Sequence, residues 1–358
     1  MKRPRNSKFH IQHSTLLITA LLTLLLTSCD TVLQYPEEPG IDPVLPEEHI
    51  QLHVTCDFNF RYTNEMEYDY LDLSGIAPKG TRTVDRHQMR FIAKAYSADD
   101  RSIKPQAVRS WTFYAPEKSD VDMTFDIDLP AGDYRIVMWC DYVDADVPAD
   151  FYYSTLDFSE IILKNESGHY GSDSYRDAFY GETRLTVDKN SGNLCADILL
   201  TRPFARYSFV STDLEEFVNS ENVRRNKADV SAGAPDLSDY TVRVVYTQYM
   251  PCVFNAHTGK PIDSRTGVEY HSLISLLDDA QALLAYDFVF TNGSSTSIAV
   301  AMEVLHSDGS VVAGVPPIDI PIMRNQHTVL YGKFLTTKSG SGIGVNPGFG
   351  GSFNIEIK

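Results

Sequence analysis

Positive charge is scarce in this sequence. The 358 residues contain 31 Lys and Arg against 48 Asp and Glu, which gives a formal net charge of −17. Proteins that bind nucleic acid need Lys and Arg to neutralise phosphates, so the composition argues against that class. Because 43% of the residues are hydrophobic and 11% are aromatic, the chain can still bury enough apolar surface to fold.

The short motifs of the common enzyme and nucleotide-binding classes are also missing. The sequence contains no HExxH, GxSxG, P-loop or GxGxxG pattern. The glycines at 340–344 follow no suitable apolar strand and precede no helix, so they do not predict a phosphate site. We therefore expect a protein that is not an enzyme and that needs no cofactor.

No hydrophobic run is comfortably long enough to span a bilayer. The longest run, residues 16–26, falls short of the roughly 20 residues required. It follows a basic segment without acids at 2–8, as in a secretory signal peptide. Two alternatives to lipidation remain open for this segment. It could be an uncleaved membrane anchor, or a signal peptide whose removal leaves a protein without a lipid.

Residues 26–29 read Leu-Thr-Ser-Cys and resemble the lipobox of bacterial lipoproteins. The resemblance implies that the signal peptide 1–28 is removed and that Cys29 carries the acyl chains, including palmitate. Two or three chains hold a protein on a membrane stably. We therefore expect a lipoprotein that is anchored in the outer membrane by its lipid and lies at the cell surface.

Residues 29–48 form an acidic, proline-rich segment. It contains four prolines and six Asp or Glu, with no Lys or Arg. Prolines favour the polyproline II conformation and like charges extend the chain further. The segment is predicted to be a tether that separates the first domain from the lipid by up to about 50–60 Å.

Four further cysteines lie far apart in the chain, without a CxxC pair. Zinc and thioredoxin-type chemistry therefore have no support. All four lie in apolar, strand-like contexts, which favours buried free thiols over disulfides, although an exported protein permits either. They are Cys56, Cys140, Cys195 and Cys252.

Apolar and polar residues alternate along much of the chain, which predicts half-buried β-strands. The clearest unit is a hairpin, in which the alternating runs 121–129 and 134–140 flank Pro130, Ala131 and Gly132. Helical patterns are few: a capping-box spacing predicts a short helix over 212–219, and 272–284 is a second candidate. Further strands are predicted at 50–58, 89–95, 158–164, 183–188, 194–200, 204–210, 241–247, 284–291, 298–305 and 327–335.

This pattern predicts an all-β fold of two tandem β-sandwich domains with few short helices. Proline interrupts an apolar run at 201–203, so we place an N-terminal sandwich at 49–201 and a C-terminal one at 202–337. A glycine-rich connector and terminal strand follow at 338–358.

Two segments resemble the fimbrillin-type lipoproteins of Bacteroidetes, which include fimbrial anchor subunits. Residues 128–139 (DLPAGDYRIVMW) resemble the hairpin of that family, and 202–210 (RPFARYSFV) are similar to the strand that opens its second domain. The resemblance implies transthyretin-like sandwiches and a role as a fimbrial subunit, anchor or adhesin in cell adhesion. Its members assemble by strand addition, in which one subunit completes a sheet of the next.

The terminal residues Phe353, Ile355 and Ile357 alternate with polar ones. They are candidates for a donated strand or for an edge strand of this chain's own sheet. The expected partners are therefore the outer membrane, other fimbrial or surface subunits, and a host protein or glycan. A glycan-binding lipoprotein of a polysaccharide-uptake system is the alternative function.

The remaining candidate sites are weak. Asp141, Asp144 and Asp146 offer oxygen ligands for Ca²⁺, but the glycine and closing Glu of an EF-hand are missing, so solvated loop acids are favoured. His49 and His53 share one strand face and suit either a metal or an exposed strand start. A tyrosine-rich stretch at 152–180 suits glycan stacking, adhesive contacts or ordinary packing.

Overall fold

The computed structural model describes residues 47–58, 87–98, 104–114, 121–147, 149–164, 168–190, 192, 194–228 and 236–338. The predicted lipidation site Cys29 and the terminal residues Phe353, Ile355 and Ile357 lie outside these ranges. Within them, no helix is long and apolar enough to cross a membrane.

The described residues are built mainly of β-strands, which confirms the prediction of an all-β fold. One α-helix, α1 (Leu214–Ala228), and two short 3-10 helices, Ser174–Arg176 and Leu237–Asp239, accompany them. The strands are β1 (Glu47–Cys56), β2 (His87–Ser97), β3 (Ala107–Tyr114), β4 (Val121–Pro130), β5 (Gly132–Asp144), β6 (Tyr153–Ser154), β7 (Ile161–Leu163), β8 (Ala178–Val187), β9 (Leu194–Leu200), β10 (Phe204–Ser211), β11 (Tyr240–Tyr246), β12 (Met250–Asn255), β13 (Lys260–Arg265), β14 (Glu269–Leu273), β15 (Ser275–Leu276), β16 (Ala282–Phe290), β17 (Thr296–His306), β18 (Val311–Ile322) and β19 (His327–Gly332).

These strands form five sheets, each named here after one of its strands. The β1 sheet has the order β4-β1-β9, and the β2 sheet has the order β3-β2-β5-β8. The β12 sheet is β13-β12-β7-β6, the β10 sheet is β15-β16-β10-β19, and the β11 sheet is β14-β11-β17-β18. The predicted hairpin is wrong in its pairing: only Ala131 separates β4 from β5, but β4 pairs with β1 whereas β5 pairs with β2 and β8. The chain therefore crosses from one sheet to the other at this turn, and the apolar sides of both strands face the core between the two sheets.

The β1 and β2 sheets enclose one hydrophobic core. Ile50, Leu52 and Val54 of β1 face it, as do Ile136 and Met138 of β5. The intervening β5 residues, such as Val137 and Trp139, are also buried but belong to a second core. Both faces of β5 are thus covered, which explains why most of its residues are buried although its sequence alternates.

The β12 sheet contains strands from both halves of the chain. β6 and β7 precede the break predicted at 201–203, whereas β12 and β13 follow it, and Val253 pairs with Ile162. The ring centroid of Trp139 lies 5.4 Å from that of Tyr153 on β6 and 6.3 Å from that of Phe254 on β12. One core therefore continues from the β2 sheet through the β12 sheet into the second half.

Two helical predictions need correction. α1 begins at Leu214 and continues to Ala228, beyond the predicted end at 219. Residues 272–284 are not helical: β15 pairs with β16 across the intervening turn, with Ser275 opposite Leu283. Ala282 and Leu283 also pair with β10, so the sheet on both sides of β16 fixes its backbone as extended.

Candidate functional site

Strand β1 is the first described element after the predicted tether. It pairs antiparallel with β4, from Glu47 opposite Pro130 to Cys56 opposite Val121. On its other side it pairs parallel with β9, up to Cys56 opposite Leu200. β1 is thus the central strand of its sheet, and a tether that ends here joins a strand held on both sides.

The solvent-facing side of β1 carries His49 between two acids of β4. Its Nδ1 lies 3.0 Å from Asp128 Oδ1 and its Nε2 lies 3.2 Å from Asp126 Oδ1. The hydrogen bond to Asp128 raises the pKa of His49, and the charges of both acids add to this. A neutral imidazole has only one N–H, so both contacts are favourable only when the ring is protonated.

His53 repeats this arrangement across both neighbours of β1. Its Nε2 lies 2.7 Å from Asp122 on β4, and its Nδ1 lies 3.1 Å from Asp197 on β9. The part of the chain that the structure describes holds no group of three or more His, Cys, Asp or Glu side chains able to hold a metal ion. The two histidines thus make cross-strand side-chain contacts that link β1 to β4 and β9.

The three candidate Ca²⁺ ligands occupy different environments. Asp141 is buried and accepts hydrogen bonds from Arg90 Nε at 2.9 Å and Nη2 at 2.6 Å. Burial raises the pKa of Asp141, and the guanidinium of Arg90 opposes that rise. Asp144 instead accepts the backbone N–H of Asp146 at 2.8 Å in the exposed loop after β5. Both oxygens of Asp141 are engaged with Arg90, so this carboxylate serves the ion pair.

Of the alternatives left open for the tyrosine-rich stretch, the structure favours packing for its first members. Tyr152 and Tyr153 are buried. Tyr152 Oη donates to Asp173 at 2.6 Å, and Tyr153 Oη donates to the carbonyl oxygen of Arg176 at 2.5 Å. Neither ring is exposed enough for a glycan to stack on it.

A buried polar cluster fastens the 168–177 segment to the second half of the chain. Asp287 on β16 accepts hydrogen bonds from Tyr246 Oη at 2.6 Å and pairs with His169 at 2.6 Å and with Arg176. Although burial opposes it, the charge of Arg176 holds the pKa of Asp287 below its usual range. Burial lowers the pKa of His169. Because all these side chains are at most 3% exposed, the cluster is a structural joint.

An open groove lies on the β12–β13 hairpin, where the sequence predicted no strand. Its volume is about 510 Å³, and β13 forms an edge of its sheet. Tyr249 is 69% exposed and Ile262 is 51% exposed, so both present apolar surface to solvent. The groove is lined by Tyr249, Pro251, Pro261, Ile262, Asp263 and Ser264. An exposed ring beside a carboxylate and a hydroxyl is chemistry that a sugar could use.

The fold and its surfaces define a multi-sheet β protein with no recognisable catalytic motif in its sequence. The chain belongs to the family described as "Family of unknown function (DUF6562)", whose model matches residues 52–358. No curated protein matches the sequence.

Solved structures with detectable likeness include proteins from Bacteroides and Porphyromonas. An adhesin candidate from Bacteroides ovatus is 12% identical, with a TM-score of 0.39, over 77% of this chain and 78% of its own. Candidate polysaccharide-binding proteins (DUF1812) from Bacteroides thetaiotaomicron are 11% identical, with a TM-score of 0.38, over 75% and 80%. The fimbrial anchor protein Mfa2 from Porphyromonas gingivalis is 9% identical, with a TM-score of 0.37, over 75% and 82%.

Proposed function

We propose that this protein is a non-enzymatic surface lipoprotein that anchors or caps a fimbrial or adhesive assembly. The proposal combines the lipobox at Cys29, the acidic tether and the fimbrillin-like segments of the sequence with the position of β1. Its partners would be the outer membrane and other surface subunits of β-sandwich type.

The observation that carries the proposal is that β1 fills the centre of its own sheet. Ile50, Leu52, Val54 and Cys56 are all 0% exposed, and β1 pairs with a neighbour on each side. Assembly by strand addition needs an open position in the acceptor sheet. A chain that keeps β1 offers no such position there, so it would end or anchor an assembly.

Proteolytic cleavage after an arginine that follows β1 would remove β1 and leave its place in the sheet open to a donated strand. Of the four arginines that follow β1 in the sequence up to β2, Arg90 is only 5% exposed and is paired with Asp141. The other three, Arg61, Arg82 and Arg86, lie outside the described residues. The proposal therefore requires that the mature protein on the cell retains β1.

The test is to express the full chain in a Bacteroidetes host, crosslink intact cells and identify what co-purifies. We expect other β-sandwich surface subunits, and an amino terminus that begins at a lipidated Cys29 and still contains β1. Cys29→Ala should release the protein from the membrane fraction and abolish the crosslinks. An unmodified amino terminus, or crosslinked cells that yield no partner subunit, would contradict the proposal.

Deletion of 353–358 tests whether the terminal strand is donated. If the strand is donated, partner capture is lost and the thermal stability of the isolated protein is unchanged. If stability falls instead, the strand belongs to this chain's own sheet.

The groove at Tyr249 favours glycan binding as a second candidate function. Tyr249→Ala should then reduce retention of the full chain on immobilised neutral polysaccharides. Val108→Ala, at an exposed apolar residue on another sheet, is the matched control and should change nothing. Equal retention of both variants and the parent would remove the support that this groove gives to the second candidate.

A further inference from the structure

Two cysteines face each other across the first core. Cys56 is the last residue of β1, and Cys140 lies on β5 in the opposing β2 sheet. Both are 0% exposed, both belong to the core between these sheets, and their thiols are hydrogen-bonded to each other. Each lies on the inward face of its strand, in step with Val54 and Met138.

Neighbouring contacts fix the end of β1 at this position independently. Phe58, two residues beyond Cys56, packs on Phe179 with ring centroids 4.6 Å apart. Phe179 is the register partner of Cys140 on the adjacent strand β8. The backbone N–H of Asp57 donates to the carbonyl oxygen of Leu200 at 3.0 Å. The chain that leaves β1 is therefore held directly beside Cys140.

We propose that Cys56 and Cys140, which are free thiols in this structure, are joined by a disulfide in the exported protein. The oxidant would be a protein disulfide of the thiol–disulfide exchange class. One cysteine thiolate attacks that disulfide and forms a mixed disulfide, releasing one thiol of the oxidant. The second cysteine then displaces the other thiol, so the pair loses two hydrogens and two electrons while the oxidant becomes a dithiol.

The exchange has to precede closure of the sandwich. Burial raises the pKa of Cys140 well above its ordinary value, and the neighbouring Cys56 raises it further. A thiolate is the attacking species, so the folded protein reacts slowly and the folding chain reacts readily. The other two thiols do not compete at this position, because Cys195 is exposed on β9 and Cys252 lies on β12 in another sheet.

The bond would tie the far end of β1 to the β2 sheet. If the proposed anchoring function is correct, pulling on the lipid tether loads β1 from Glu47, at its opposite end. The disulfide would then stop β1 from leaving its sheet, which keeps that position closed to a donated strand. The bond itself does not depend on the anchoring function.

The first test is a thiol map of the full chain exported with its own leader. The protein is denatured in N-ethylmaleimide, reduced, labelled with iodoacetamide and mapped by peptide mass. We expect Cys195 and Cys252 to carry the first label and Cys56 and Cys140 to carry only the second. Labelling of Cys56 and Cys140 by N-ethylmaleimide would overturn the proposal, whatever crosslinking shows about partners.

The second test separates the bond from packing. Parent protein that is reduced in denaturant and refolded in reductant should have a Tm roughly 5–10 °C below that of the oxidised parent, the range expected for loss of a disulfide in a protein of this size. Cys56→Ala should leave Cys140 accessible to label after denaturation and make the Tm insensitive to reductant. Cys195→Ser is the matched control and should keep the parent's response. A parent whose Tm does not respond to reductant would overturn the proposal.

Discussion

The β1 sheet and the β2 sheet differ in what covers the face that each turns away from their shared core. The β1 sheet has a core on one side and solvent on the other, so His49 and Asp126 project from it with side chains 44% and 63% exposed. The central strands β2 and β5 of the β2 sheet are covered on both sides, and the side chains of Arg90 and Asp141 on them are only 7% and 1% exposed. Both sheets carry charged pairs, in very different surroundings.

This difference in exposure decides whether a charged side chain needs a protein partner. On the solvent-exposed face of the β1 sheet, which we call the wet face, water solvates a charged side chain whether or not it has a partner. An ion pair there therefore adds little stability. On the covered face a charged side chain needs protein partners, because water does not reach it. Lys94 illustrates this: its Nζ donates to the carbonyl oxygens of Thr155 at 3.0 Å and Leu156 at 2.7 Å, and it lies 4.0 Å from the ring centre of Phe158. Buried charges on the β2 sheet therefore pin the 149–158 segment onto it.

Removal of a partner on the covered face should have the largest effect. Asp141→Ala leaves the buried guanidinium of Arg90 without its bidentate partner, and we expect a loss of about 3–5 kcal/mol in the free energy of unfolding. Urea denaturation measures it. Asp128→Ala, which removes a partner of His49 on the wet face, is the control and should change stability little. Equal losses in the two variants would show that the faces do not differ in this way.

A smaller effect is expected from the charge of Lys94, and it should depend on pH. Burial lowers the pKa of Lys94 from 10.5 to about 8 in the folded protein. The unfolded chain therefore binds a proton between pH 8 and 10.5 that the folded protein does not, so this residue makes stability rise with pH across that window. The full rise is roughly 3 kcal/mol.

Lys94→Met provides the comparison for that window. The stability of the variant relative to the parent should be greatest below pH 8 and should decline by pH 10.5, because the cost of burying the charge is present at low pH only in the parent. Urea midpoints of both proteins at pH 7, 9 and 10.5 measure it. A constant difference across these three values would contradict the assigned pKa. Lys333→Met, at a lysine paired on the surface with Glu216, controls for loss of a lysine charge.

The contrast between strands with one exposed face and strands covered on both faces also explains which strands the sequence predicted. β1 and β4 alternate because one side of their sheet is wet, and the pattern located both. Along β2 the apolar residues Met89, Phe91, Ala93 and Ala95 were predicted, but the polar side chains between them are also buried. Nothing local to β2 indicates that the β12 sheet covers its second face, because that sheet is formed from distant segments.

Seven strands were missed: β6 and β15 are only two residues long, and proline accounts for part of the other five. β12, β13 and β18 each contain proline, which usually interrupts a strand. β13 and β18 lie at the edges of their sheets, where a residue without an N–H is tolerated. β3 and β14 are also edge strands, and their exposed residues weaken the apolar alternation that the prediction used.

The candidate sites depended on side-chain partners that spacing does not reveal. All four described cysteines are free thiols in this structure and three are buried, but Cys195 is exposed, which corrects its predicted burial. It lies on the solvent side of the edge strand β9, in step with Asp197 and Leu199. The groove at Tyr249 depends on a hairpin that the sequence did not indicate. The buried Asp287 cluster unites residues more than 100 positions apart, such as Arg176 and Asp287.

The smallest effect is expected on the wet face, from the protonation of His49. Its pKa is raised in the folded protein by Asp128 and Asp126, so its stabilising contribution is complete below the unfolded value of 6.5 and is lost as pH rises through the higher folded value. NMR titration of the imidazole should give a pKa above 6.5 that falls towards it in Asp128→Asn. High salt should reduce the shift, because exposed charges are screened. A pKa that is unchanged by both the substitution and the salt would mean that the pairs on β1 do not govern the ring, and the two faces of the sandwich would then have to differ for another reason.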